Sequence, residues 1–222
     1  MLVELVRSSG DEDTIVSRAM NLEPHVSHSK DTKRFVRMLM KQRHGTPFEV
    51  ITLEFYVEIP LFTLAQWHRH RIGWSYNVAS QRYREASGKT WLPALGRPLK
   101  KVENFNPMKP EFADSAELTD YARYKIKSAF DRCWQDYCDM RAAGVADEVA
   151  RVVLPQSTYT SMYAQCNLRS FMHWASLRCS GGFFSSHPQW EIEELALQMR
   201  REVATIAPHT MEAFTEIGLI SP

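Results

Sequence analysis

Val50-Ile51-Thr52-Leu53-Glu54-Phe55-Tyr56-Val57-Glu58-Ile59 changes polarity at nearly every step. Ile51, Leu53, Phe55, Val57 and Ile59 face one way; Thr52, Glu54, Tyr56 and Glu58 face the other. A period of two is the mark of a strand with one buried face. Pro60 follows and predicts a helix from Leu61, because proline suits a first helical turn. That helix is expected to run on into an arginine-rich segment. Upstream, Asp31 is a candidate N-cap for a helix through Arg43, with Phe35, Val36, Leu39 and Met40 turned inward. Gly45 and Pro47 stop it. A shorter helix is expected from Asp13 to Ala19.

Downstream, residues 87–110 are rich in Gly, Pro and Lys and read as a long loop. Asp114 is expected to cap a long helix whose inward stripe is Leu118, Ala122, Ile126, Ala129, Cys133, Tyr137 and Met140, ended by Gly144. Residues 145–154 predict another helix, halted by Pro155. Residues 159–165 read as a strand and 168–177 as a helix. Gly181-Gly182 marks a flexible loop. A last helix is expected over about 188–206. Helices with few strands point to an α+β fold.

The totals bound the classes open to the chain. It has 222 residues and is 44% hydrophobic, enough for one compact core and short for two. A single domain over 1–222 is therefore expected. Lys and Arg number 27 against 26 Asp and Glu, a net charge of +1. A near-neutral chain does not advertise bulk nucleic-acid binding. Cys133, Cys138, Cys166 and Cys179 lack C-x-x-C spacing, and no leader is visible. Reduced thiols in a cytoplasmic protein are the expectation. No apolar run approaches the roughly 18 residues of a membrane-spanning helix.

Against that neutral background the segment Arg69-His70-Arg71-Ile72-Gly73-Trp74-Ser75-Tyr76-Asn77-Val78-Ala79-Ser80-Gln81-Arg82-Tyr83-Arg84 is a local concentration of cations and small donors. Charge emerging from buried structure is costly unless something anionic fills it. Guanidinium forks suit phosphate and stack on flat rings. The residues alone thus point to a nucleotide or phosphate pocket. Arg151, Arg169 and Arg178 lie among apolar or small neighbours, and Arg82 lies between the uncharged Gln81 and Tyr83. Structural ion pairs to Glu85, Glu148 or Glu191 would explain any one of them, but several such arginines want more anions than these carboxylates supply. His70 between two arginines is a poor metal ligand, and His44, His173 and His187 have no metal spacing, so no metal is expected. Ser80 has no base at fixed spacing. G-x-G-x-x-G and P-loop motifs are absent.

The segment resembles the signature of the flavin-dependent thymidylate synthases, R-H-R-x-x-S-x-N-x-x-S-x-R-Y. Arg69-His70-Arg71 matches its first part, and Ser75-x-Asn77-x-x-Ser80-x-Arg82-Tyr83 the rest. His44-Gly45-Thr46-Pro47-Phe48-Glu49 is similar to the family's H-x-T-P-F-E, and Gln66-Trp67 precedes the signature as in the family. Residues 150–155 resemble A-R-x-V-L-P, and Asn167-Leu168-Arg169-Ser170 resembles N-x-R-S. Leu177-Arg178 with His187-x-Gln189-x-Glu191-Ile192 resembles the closing L-R…H-x-Q-x-E-I. The likeness covers nearly the whole chain. There are departures. One extra residue separates Arg71 from Ser75-x-Asn77. Val78 stands where the family has glutamate, and His173 where it has a flavin-side asparagine. The loop 179–186 is longer than the family's, and the N-terminal A-R-V-S-like element is reduced to Ser17-Arg18-Ala19-Met20-Asn21.

The resemblance implies a mostly antiparallel sheet flanked by helices. It implies transfer of a methylene from methylenetetrahydrofolate to C5 of dUMP, with NADPH-reduced FAD supplying reducing equivalents. Arg178 would be the catalytic cation beside the pyrimidine. Gln66, Arg69, Ala79, Ser80, Gln81, Arg82, Arg151 and Arg178 would bind the nucleotide monophosphate. Thr46, Arg69, His70, Arg71, Asn167, Arg169, His173 and His187 would bind FAD. The family is homotetrameric, with sites shared between subunits. Nucleic acid and membrane are not expected partners. The altered signature leaves open a variant that methylates UMP. A reading of another class, a single-stranded nucleic-acid-binding module using arginines with Trp74, Tyr76 and Tyr83, is opposed by the neutral charge and by the scatter of the arginines.

Overall fold

The computed structural model describes residues 1–23, 26–28, 30–183 and 186–222. Strands β1 (Leu2–Ser9), β2 (Thr52–Pro60), β3 (Trp74–Val78) and β6 (Tyr159–Asn167) form one antiparallel sheet in the order β1-β2-β6-β3. A two-residue pair, β4 (Lys100–Lys101) and β5 (Phe112–Ala113), lies apart from it. The α+β expectation is met. Chain contacts divide the molecule into two compact units. The first holds Met1–Val57, Trp67–Asn77 and Met162–Pro222; the second holds Glu58–Gln66 and Val78–Ser161.

In the first unit, α1 (Glu12–Ala19) and α2 (Thr32–Lys41) begin at aspartates; the Asp31 cap is the one the sequence predicts, and α1 starts one residue before the expected Asp13. Asp11 Oδ1 accepts from the Thr14 amide at 2.7 Å, and Asp31 Oδ1 from the Arg34 amide at 3.1 Å. Leu53, Phe55, Val57 and Ile59 of β2 are fully buried, which is the predicted alternation. Phe55 stacks on Phe171 of α6 (Leu168–Arg178) at 6.1 Å, so the buried face of β2 packs on that helix. Burying each such side chain is worth about 1.5–3 kcal/mol. Asn167 caps α6 by accepting from the Ser170 amide at 2.8 Å, and the Leu168 amide donates to the Ile51 carbonyl at 2.9 Å. The residue before β2, the start of α6 and the 3₁₀ turn Thr46–Val50 are thereby tied together.

Two elements of this unit escape the sequence reading. β1 carries a single buried apolar residue, Val3, so it has no apolar face to betray it; backbone pairing and α7 (Trp190–Ile206) hold it. α8 (Pro208–Glu216) follows α7 after one residue, with Pro208 opening its first turn. Its amino end is satisfied from afar. The buried Glu12 carboxylate accepts from the Thr210 amide at 2.6 Å, the Thr210 hydroxyl at 2.7 Å and the His209 amide at 3.2 Å. The expected last helix starts at Trp190, two residues beyond Pro188.

In the second unit, α3 (Leu61–Trp67, its last residue in the first unit) starts after Pro60 but ends before the arginines. α4 (Ala116–Ala142) is capped by Ser115, whose Oγ accepts from the Leu118 amide at 3.3 Å, and not by Asp114. Its buried residues are Thr119, Phe130 and Tyr137. Leu118, read as inward, is exposed, because the inward stripe of α4 runs through Thr119 in that turn. Gly144 ends α4 at φ +86°, a conformation glycine adopts without strain. The helix expected over 145–154 is only α5 (Asp147–Ala150) with a 3₁₀ turn over Arg151–Val153. Tyr137, Ala86 and Ala150 form the core here, and the Tyr137 hydroxyl accepts from the Ala86 amide at 3.1 Å. The loop 87–110 is mostly irregular, as expected, and is pinned where Thr90 bridges Thr158. Part of the loop 179–186, residues 184 and 185, lies outside the described residues. Among the described residues no helix is long and apolar enough to cross a membrane.

Candidate active site

The arginine segment is not helical. After Trp67 the chain turns through Arg69-His70-Arg71-Ile72 and enters β3 at Trp74. Gly73 makes the turn at φ +72°, and a Cβ there would overlap the Ser170 hydroxyl oxygen. Two demands, a left-handed backbone and contact with α6, select glycine at this turn. The turn rests on an aromatic cluster. Buried Trp67 stacks on buried Trp174 at 4.9 Å; Trp74 lies 5.8 Å from each, and Tyr76 is parallel to Trp74 within 8°.

His70 is pinned from both sides. Its carbonyl accepts from the Tyr76 hydroxyl at 2.6 Å, and its Nε2 accepts from Arg178 Nε at 3.1 Å. His173 stands 6.5 Å away, ring to ring. Burial, then the Arg178 cation, then His173 hold the His70 imidazole down at about 4. It is neutral near pH 7 and so can accept. Burial first and the Arg69 cation second also push the Arg178 guanidinium down. The half-buried Arg178 thus feels the charge of the exposed Arg69, an arrangement that an incoming anion relieves.

Beside this cluster lies an open groove of about 360 Å³ bordered by Glu49, Gly73, Trp74, Ser75 and Asn167. Arg169 bonds Glu49 at 2.6 Å and the Pro222 carbonyl at 3.1 Å, and a Cβ on Gly45 would strike its guanidinium. Thr46 is exposed at the start of the 3₁₀ turn. Of the residues matched to flavin contact, His70, His173 and the neighbouring Arg178 converge, and Arg169 joins Asn167 at the head of α6. Arg71 and His187 are exposed. A donor-rich, cationic lip with an adjoining groove fits an anionic flavin dinucleotide.

The second unit collects most of the residues matched to the nucleotide. Ala79, Ser80 and Gln81 line a cavity of about 210 Å³. The Ala79 amide donates to the Ser161 carbonyl at 2.9 Å, and the Arg82 amide to Ser80 Oγ at 3.3 Å. Arg82 places both Nε and Nη2 at 2.8 Å from Glu148 Oε2, and Arg151 Nε donates to the Glu148 carbonyl at 3.4 Å. Arg82 and Arg151 are therefore brought together, and Arg82 carries one of the ion pairs weighed in the sequence. Glu85 serves Arg141 instead, at 3.1 Å. Gln66 is half-buried in the last turn of α3. The same cavity is lined by Glu58, Lys89 and Tyr159, which sequence reasoning missed. Lys89 Nζ meets Glu58 at 3.2 Å, and burial with the Glu58 charge raises the Tyr159 phenol. The alternation of β2 did turn Glu58 outward, but nothing in the sequence pairs it with Lys89.

The description "Thymidylate synthase complementing protein" belongs to a family model that matches residues 4–209. The flavin-dependent thymidylate synthase of Streptomyces avermitilis is 36% identical over 99% of this chain and 93% of its own length. That of Thermosipho africanus is 35% identical over 97% and 91%. The crystal structure of the UMP/dUMP methylase PolB from Streptomyces cacaoi, bound with 5-Br UMP, superposes with a TM-score of 0.92 at 37% identity, covering 100% of this chain and 96% of PolB. A second PolB structure, with 5-Br dUMP, gives 0.90. Likeness of sequence and of fold extends over both units, the signature turn included, and the chain is thus a member of the flavin-dependent thymidylate synthases, a family of flavin-dependent methyltransferase enzymes.

Proposed function

We propose that the chain methylates C5 of a uridylate nucleotide, dUMP to dTMP, with methylenetetrahydrofolate as one-carbon donor and NADPH as reductant. The observation that carries this reading is the half-buried Arg178 guanidinium, desolvated beside Arg69 and held by neutral His70. Making uracil C5 reactive puts negative charge on N3, O2 or O4, and a preorganised cation there lowers the barrier. Arg178 fills that role. Ala79, Ser80, Gln81, Arg82 and Arg151, with Gln66 and Arg69, bind the nucleotide and its phosphate. The Arg82–Glu148 pair is about half exposed on both sides, so its strength is small and a phosphate can compete for the fork. Thr46, Arg69, His70, Arg71, Asn167, Arg169, His173 and His187 hold FAD, which supplies the reducing equivalents when bound. No cysteine is asked to act; burial raises the Cys166 and Cys179 thiols, which keeps them protonated.

The reading extends to one family domain over 1–222, supported by a family match that runs through both units. It includes a homotetramer that shares sites between subunits, and a cytoplasmic enzyme whose four cysteines are free. A second reading takes UMP as substrate. Its support is the similarity to PolB, whose structures hold analogues of both nucleotides, together with Val78 and the extra residue between Arg71 and Ser75 in the altered signature. The purified protein should be yellow with flavin absorption bands. Assays with methylenetetrahydrofolate, NADPH, FAD and each nucleotide should give a larger kcat/KM for dUMP. A larger value for UMP would select the second reading, and a colourless protein that shifts single-stranded DNA would defeat both.

A further inference from the structure

Tyr76 occupies a variable position of the signature, between Ser75 and Asn77, where the motif assigns no role. Its surroundings are specific. The ring is stacked on Trp74, which touches Trp67 and Trp174, and Trp174 lies one helical turn before Arg178 on α6. The hydroxyl donates to the His70 carbonyl at 2.6 Å, and on the other side of the same residue Nε2 receives Arg178 Nε at 3.1 Å. An arginine side chain has several rotatable bonds, and one fixed acceptor on Nε selects a single direction for its terminal fork. His70 can be that acceptor only as the Nδ1–H tautomer with Nε2 bare. Its backbone sits in the turn that follows Trp67, outside the sheet. The tyrosine hydroxyl ties that backbone to β3.

We infer that Tyr76 and His70 are positioning residues that aim the Arg178 guanidinium: Tyr76 fixes the His70 backbone, and His70 Nε2 fixes Arg178 Nε. The inference rests on the proposed placement of Arg178 beside the pyrimidine. It explains why an aromatic donor stands at a position given over to neither flavin nor nucleotide. It also explains why the indole cluster touches both β3 and α6: it holds the frame in which the two hydrogen bonds are made.

The test uses the flavin-loaded enzyme. Tyr76→Phe keeps the stack and removes the hydroxyl; kcat should fall about tenfold, the effect of one lost hydrogen bond. KM for the nucleotide, flavin content and melting temperature should stay near wild type. Combined with Arg178→Lys it should add little further loss, because both act through one group. His70→Gln, which retains an acceptor, should keep far more activity than His70→Leu; this pair carries the test if Tyr76→Phe does not fold. Independently of turnover, ¹⁵N imidazole shifts should report His70 Nε2 as unprotonated. A protonated Nε2 in wild type, a wild-type kcat in Tyr76→Phe, or fully multiplicative losses would overturn the inference while uridylate methylation stands. Failure of the wild-type enzyme to methylate either nucleotide would instead overturn the proposed function, and with it the purpose assigned to the aim of Arg178.

Discussion

Gly73 and Ser170 are so close that a Cβ on the glycine would overlap the serine hydroxyl. This contact joins the turn of the arginine segment to the first turn of α6, whose far end carries Arg178. Gly73 makes this contact from a left-handed backbone at φ +72°.

Gly73→Ala should therefore destabilise the protein by about 1–3 kcal/mol, since alanine is strained at positive φ and also meets Ser170. Gly73→Ala with Ser170→Gly should recover part of the loss. Denaturant midpoints with unchanged m values would measure both. A Gly73→Ala variant as stable as wild type would contradict the left-handed turn and its close approach to α6.

Arg178→Ala should abolish most methyl transfer, by about 10²–10³ in rate, while much of the flavin remains bound. Single-turnover rates and flavin-to-protein absorbance ratios separate the two. Near-normal turnover at saturating nucleotide would remove Arg178 from the reaction.

Arg82→Ala and Arg151→Ala should weaken nucleotide binding by roughly ten- to a hundredfold, the worth of a charge-assisted hydrogen bond. Stability should change by less than about 1 kcal/mol for Arg82→Ala, because its pair with Glu148 is exposed. Titration of the oxidised enzyme with dUMP and UMP tests this. Normal nucleotide affinity with loss of FAD would mean that the two groups of residues are exchanged.

The depressed His70 predicts a pH dependence of stability. Its folded value of about 4 lies below the reference 6.5. Between those values the unfolded chain binds the proton and the folded one does not, so stability falls as pH drops from 6.5 toward 4. His70→Gln should flatten the slope in that window. An unchanged slope in melts across that window would show that His70 does not titrate with folding.

Where a residue pattern reports a local preference, the sequence by itself determined the outcome. The alternation of Leu53, Phe55, Val57 and Ile59, the cap Asp31, and the stop at Gly144 all depend on interactions a few residues long. The family was legible too, because its motifs are strings of adjacent residues. Tertiary structure decided what depends on partners distant along the chain. α8 begins where the Glu12 carboxylate meets Thr210; the turn at Gly73 is shaped by its approach to Ser170; Arg82 finds Glu148 and not Glu85. The link from Tyr76 through His70 to Arg178 was equally invisible, because His70 and Arg178 meet only when the turn and the end of α6 are folded together. Propensity and spacing act along the chain, whereas desolvation and hydrogen-bond satisfaction act through space, and the placement of this site's charges is decided by the second.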